Sequence, residues 1–237
     1  MSKGAWGTGN RKRENISEPR IPIPAPPNYR SLQMVKKIRS AAIKRKTKET
    51  DISGKIVIDG GGKTDIDTGI GFLDHMLTLF SFHGLFDLKL KAKGDLKVDT
   101  HHTNEDIAIC LGRAFREALG DCKGIKRFGA KEVPMDMAAA KVMVDIGGRY
   151  AFLLRMPTSY PTEMVSREGG YSFEDGKDFL DTFAKNANVN LHIEVYSGQD
   201  MHHVLEAIFK ALGVALDEAS QIDPRRKDVP STKGIIE

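Results

Sequence analysis

The chain has 237 residues, 40% hydrophobic and 29% charged, enough for a sizeable core in one domain or in two small fused halves. No apolar run approaches the roughly 20 residues that span a bilayer, and the N-terminus lacks the short apolar segment of a secretory signal, so a cytoplasmic protein with no membrane partner is expected. The net charge of +4 is uneven: residues 1–48 hold thirteen Lys/Arg against only Glu14 and Glu18, and the remainder is net acidic.

A basic stretch of this kind can touch nucleic acid, but it has no recognisable binding motif. A solvated tail is the preferred reading, with no nucleic-acid partner. Residues 21–29 (IPIPAPPNY) are proline-rich, which favours extended backbone and argues against the amphipathic helix of a mitochondrial transit peptide. Residues 1–35 therefore read as a flexible extension, and the lack of acidic residues before Glu14 leaves a plastid-type targeting role open.

From about Ser40 the chain alternates strand-like and helix-like segments, and does so twice. The first pass, residues 36–125, has strand-like stretches through AAIKRKTKETDI and KIVIDG. A helix pattern follows from Ile70 to Phe82, with Phe72, Leu73, Met76, Leu77 and Phe80 on one face. Phe86, Leu88 and Leu90 then alternate as a strand, and HHTNEDIAICLGRAFREAL carries a second helical stripe of Ile107, Cys110, Leu111, Ala114 and Phe115. Cys110 falls within that stripe as a core filler, and with Cys122 it fits no metal spacing; no disulfide is expected.

Residues 124–129 (GIKRFG) read as the junction. The second pass, residues 126–237, has strands in AAAKVMVDIGGRYAFLLRM, a helix at DFLDTFAKNA, a strand at VNLHIEVY and a closing helix in MHHVLEAIFKALGVALDEA. The expected fold class is α+β: two tandem repeats of a sheet/two-helix unit, each with helices on one face of its sheet, packed as one subunit.

Four of the seven histidines stand in two copies of one spacing, His101-His102-x-x-Glu105 and His202-His203-x-x-Glu206. On a helix the Glu shares a face with the histidines three and four residues earlier, while the two rings diverge by about a quarter turn, so one HHxxE can serve two metal ions. Two copies at matching places in a repeat make chance surface histidines a poor account. Aligning the halves sets His75, on the first apolar helix, opposite Asp178, so each half offers one ligand from the preceding helix and one HHxxE. His192, on a strand, is a weaker candidate, and His83 reads as a helix-end residue. Imidazole and carboxylate donors without cysteine suit a six-coordinate divalent ion such as Mn²⁺ or Fe²⁺, and the expected centre is a metal pair. HExxH is absent, which removes the commonest zinc-protease reading.

The stretches RKTKETDI, DTGIGFLDHML, GDLKVDTHHTNED, GIKRFG, VPMD, HHVLEAIFKAL and IDPRRKDVPSTKG, in this order from about Arg39 to Lys233, resemble the imidazoleglycerol-phosphate dehydratase family. The resemblance implies a repeated fold of the ribosomal protein S5 domain 2 type and a manganese-dependent lyase of L-histidine biosynthesis. It also implies a large homo-oligomer, a 24-mer built from trimers, whose active sites lie between subunits and hold two Mn²⁺ each. The ligands carried over are His75, His101, His102, Glu105, His202, His203 and Glu206, with Asp178 where the family has a His or Glu. Those histidines, with Glu49, would also meet the substrate, and Glu105 and Glu206 would join Glu49 among the catalytic carboxylates. Glu49, in KETD, resembles the family's acid/base carboxylate, and Arg127, Arg149, Ser231, Thr232 and Lys233 resemble its phosphate contacts, a suitable set because a guanidinium fork and an ammonium match phosphate oxygens. Met137 departs from the Glu that normally follows VPMD.

Overall fold

The computed structural model describes residues 38–157 and 170–236, together with Met1; the extension expected over residues 1–35 lies outside these apart from Met1. Two four-stranded sheets repeat one topology. The first is built from β1 (Ser40–Lys46), β2 (Asp51–Val57), β3 (Thr64–Asp67) and β4 (Asp87–Lys93) in the order β1-β2-β4-β3. The second, from β5 (Phe128–Met135), β6 (Ala138–Asp145), β7 (Ala151–Arg155) and β8 (Asn190–Ser197), has the order β5-β6-β8-β7. In each, the third strand pairs parallel with the fourth and the other pairs are antiparallel.

Alternation explains why one face of each sheet is dry. In β6, Ala138, Ala140, Val142 and Val144 are buried while Lys141 and Asp145 turn outward, the period of two that a half-covered strand requires. Four helices cover the dry faces: α1 (Gly71–His83), α2 (His101–Leu119), α3 (Phe173–Ala187) and α4 (Met201–Ser220). Helix α3 starts earlier than its apolar pattern suggests because Ser172 and Asp175 form a reciprocal capping box, and it ends at Asn188 in the left-handed conformation. Phe80, Phe86, Phe115 and Phe183 meet edge-on or tilted between the helices, each burial contributing about 1.5–3 kcal/mol.

Strands β3 and β5 were not legible as strands: β3 has four residues with none fully buried, and β5 interrupts its alternation with Gly129 and Pro134. Helix pairing crosses between the repeats. Helix α1 packs on α4, and α2 packs on α3. A glycine at the same place in each HHxxE helix permits this. A Cβ on Gly112 would lie 2.7 Å from the Phe183 carbonyl oxygen, and one on Gly213 would lie 2.3 Å from that of Phe80.

Candidate metal and phosphate site

The crossing decides which ligands meet. His75 on α1 does not face the HHxxE of its own repeat; it faces that of α4. Its Nε2 lies 2.9 Å from Glu206 Oε1, and His202 Nε2 lies 3.1 Å from the same oxygen. One donor atom from each of the three falls within 4.8 Å of the others. Two imidazole nitrogens and a carboxylate oxygen gathered this closely form a donor set that fits a divalent ion such as Mn²⁺.

Glu206 is buried, which would ordinarily push its carboxyl up. The Lys210 ammonium, 2.6 Å from Oε2, and the His75 ring outweigh that effect and hold it at about 2. The carboxylate is thus ionised without needing to shed a proton to bind metal. Asp200 caps α4 by accepting from the His202 N–H at 2.8 Å, and Phe72 packs edge-on against the His202 ring.

The α2 copy is more open. His101 Nε2 stands 4.0 Å from Glu105 Oε2, while His102 turns away and its Nδ1 lies 3.0 Å from Asp95 Oδ2. Such a contact leaves Nε2 as the outward ligand atom, the usual arrangement of a metal-binding histidine with a carboxylate behind it. The Asp95 hydrogen bond raises the proton affinity of His102, and the charge of Glu49 adds to it. Asp178 lies exposed on α3, the helix that packs on α2. Partial desolvation against its neighbours and the nearby Glu174 hold its carboxyl above the usual carboxylate range, against the opposing pull of Lys177 and His101. Among the described residues Asp178 is not gathered with His101 and Glu105 as His75 is with His202 and Glu206. His203 approaches Asp136 at 3.5 Å. His192 lies on β8 between the buried Leu191 and Ile193, so it points away from the helices, and His83 is the last residue of α1.

A cleft of about 210 Å³ gathers Arg127, Arg149, Ser231, Thr232 and Lys233, with Gly147 at its wall. Arg127 has φ +78°, a left-handed conformation that a side chain rarely adopts. Its backbone N–H donates to the Ala219 carbonyl at 2.8 Å, its Nε and Nη2 donate to Asp145 at 2.6 and 3.1 Å, and Nη1 donates to the Pro230 carbonyl at 3.0 Å. Arg149 and Lys233, beside an Arg127 held in place by Asp145, give the small cleft donors that suit an anion such as a phosphate. Glu49 is exposed in the turn between β1 and β2. Met137 is 84% exposed in the turn between β5 and β6.

Sequence reading missed Lys210, although its place four residues after Glu206 was a usable signal. Asp95 gave none, since its pairing with His102 spans an irregular loop.

Residues 68–216 match the family described as imidazoleglycerol-phosphate dehydratase. Curated relatives of that name from Thermoanaerobacter sp. (strain X514) and Bacillus subtilis (strain 168) are 54% and 52% identical over 199 residues, covering 84% of this chain and 100% of each relative. Crystal structures of the dehydratases from Staphylococcus aureus and Pyrococcus furiosus superpose with TM-scores of 0.68 and 0.67 at 35% and 38% identity, over 78% and 81% of this chain and 99% of each of theirs. With its repeated α+β architecture and its histidine–carboxylate cluster, the chain belongs to the imidazoleglycerol-phosphate dehydratase family.

Proposed function

We propose that the chain dehydrates imidazoleglycerol phosphate to imidazole-acetol phosphate in L-histidine biosynthesis, as a Mn²⁺-dependent hydro-lyase of the cytoplasm. The observation that carries the reading is the gathering of His75, His202 and Glu206 with their donor atoms within 4.8 Å of one another, in a chain that also holds a cleft lined by Arg127, Arg149 and Lys233. The ligands would be His75, His101, His102, Glu105, Asp178, His202, His203 and Glu206, shared between two ions. Bound there, Mn²⁺ supplies Lewis acidity toward the substrate's imidazole ring, stabilising negative charge that the ring cannot hold alone.

The remaining work belongs to side chains of the protein. Arg127, Arg149, Ser231, Thr232 and Lys233 hold the phosphate, fixing the diol relative to Glu49. The Glu49 carboxylate takes the proton from the central carbinol carbon, hydroxide leaves from the carbon attached to the ring, and the two depart as water. The resulting enol takes up a proton on the ring-attached carbon, gives up its own hydroxyl proton and becomes the ketone. The eight ligands are not all gathered within one chain, which supports completing the sites between copies; the assembly we propose is a large homo-oligomer, a 24-mer of trimers.

Turnover of imidazoleglycerol phosphate should be compared for native, chelator-stripped and Mn²⁺-restored protein. Activity that vanishes and returns with Mn²⁺ is expected; two ions bound per chain with no turnover would overturn the catalytic reading and leave a metal-binding scaffold. Glu49→Gln should keep its Mn²⁺ and lose about 10²-fold or more in turnover.

A further inference from the structure

We infer that Asp106 is a positioning residue, holding the turn that carries Glu49 at a fixed place relative to the α2 ligands; the inference rests on the dehydratase reading above. Asp106 directly follows Glu105 yet points the other way, into the protein, and is 7% exposed. Its Oδ2 accepts the Thr50 hydroxyl at 2.5 Å, and its Oδ1 lies 2.8 Å from the Arg45 guanidinium. Thr50 is itself 3% exposed.

The direction of every proton in this network follows from the groups present. A carboxylate paired with an arginine only accepts, so Thr50 donates to Asp106. The 3.2 Å contact between the Thr47 and Thr50 hydroxyls is then donated by Thr47. The Thr47 oxygen in turn accepts the backbone N–H groups of Glu49, at 3.1 Å, and of Thr50, at 2.9 Å. One directional chain thus runs from the Glu49 backbone through two hydroxyls to the helix residue beside Glu105. A chain polarised in one direction has no alternative hydrogen-bond arrangement of equal energy, so it fixes the turn more tightly than packing alone.

The second repeat shows that the fold does not need this network. The place of Asp106 in HHxxE-x is taken on α4 by Ala207, fully buried, and the strand facing α4 presents Val133 and Met135 as partly buried apolar groups. In that half Met135 is met from α4 by the Lys210 ammonium at 3.1 Å, which pairs with Glu206, and Ala207 has no polar group to reach the β5–β6 turn as Asp106 reaches Thr50. A buried carboxylate turned onto the hairpin itself, with its desolvation cost, is found in the half whose hairpin carries Glu49.

The test uses full-length protein loaded with Mn²⁺, comparing Asp106→Asn, Thr50→Val, Thr50→Ser and the Asp106→Asn/Thr50→Val double variant with wild type. Mn²⁺ bound per chain and the rise in Tm on adding Mn²⁺ are measured beside kcat and KM. Asp106→Asn and Thr50→Val are expected to bind Mn²⁺ as wild type does, keep KM within about threefold and lose about 10- to 100-fold in kcat. The double variant should be no worse than the poorer single variant, because both cut one chain. Thr50→Ser keeps the hydroxyl and should restore most of the kcat lost in Thr50→Val. If wild type turns over and both single variants keep its kcat per bound Mn²⁺ pair, whatever happens to Tm, the inference falls and the dehydratase reading stands. A wild type without turnover sinks both.

Discussion

Gly213→Ala offers a sharp test of the crossed helix pairing. The added methyl group would sit 2.3 Å from the Phe80 carbonyl oxygen, 3.0 Å from the Gly84 nitrogen and 3.2 Å from the Phe80 carbonyl carbon. All three are backbone atoms, so no rotamer change relieves the clash, and α1 must withdraw from α4 by about 1 Å. Overpacking of this kind costs about 1–3 kcal/mol, and the better helix propensity of alanine returns at most about 1 kcal/mol. A net loss of about 1–2 kcal/mol lowers Tm by about 2–8 °C in a chain of this size. Gly112→Ala meets its nearest atom at 2.7 Å and should lose less, while Gly71→Ala, with nothing within 4 Å, should lose nothing. Thermal unfolding of the three variants at one protein concentration gives the order, and Mn²⁺ titration should show Gly213→Ala weakest, since α1 carries His75 away from Glu206. If Gly213→Ala melts with Gly71→Ala, the close approach of α1 and α4 is wrong.

Further outcomes follow from the site. Lys233→Met should raise KM by about 10- to 100-fold with kcat nearly unchanged, because a charged hydrogen bond to phosphate contributes about 1.5–3 kcal/mol to binding; a fall in kcat alone would place Lys233 at the reacting carbons. For metal-free protein, the Glu206 carboxyl is depressed from 4.5 to about 2, so its contribution to stability is complete above pH 4.5 and is lost as pH falls toward 2. Urea midpoints across that window should fall less steeply in Glu206→Gln, and parallel slopes would refute the assignment. Burial pushes the Cys110 thiol up to about 11, so a thiol reagent at neutral pH should leave Cys110 unmodified until urea unfolds the chain, as read by mass spectrometry of labelled peptides.

The two HHxxE motifs and the apolar stripes beside them made the repeat readable, because helical and strand periods are local properties of sequence. Which helix meets which is not local. His75 and Glu206 are 131 residues apart, and the part played by the matching glycines Gly112 and Gly213 emerged only with the helix packing. Asp106 was hidden for a related reason: it stands on the buried side of an amphipathic helix, where a lone acid reads as an imperfection of pattern until its partners on β1 and the following turn are seen. The cleft of Arg127 and Lys233 joins segments more than a hundred residues apart, and only the resemblance of their short motifs brought them together beforehand.

Crossed pairing of α1 with α4 means that the cluster of His75, His202 and Glu206 draws on both repeats. The crossed helix packing is the arrangement that two identical single-repeat molecules related by a two-fold axis would make. Joining them through the short segment after α2 removes the dependence of that arrangement on protein concentration. The joined halves are then free to diverge, so that one hairpin can keep an acid and a buried charge while the other keeps valine and methionine.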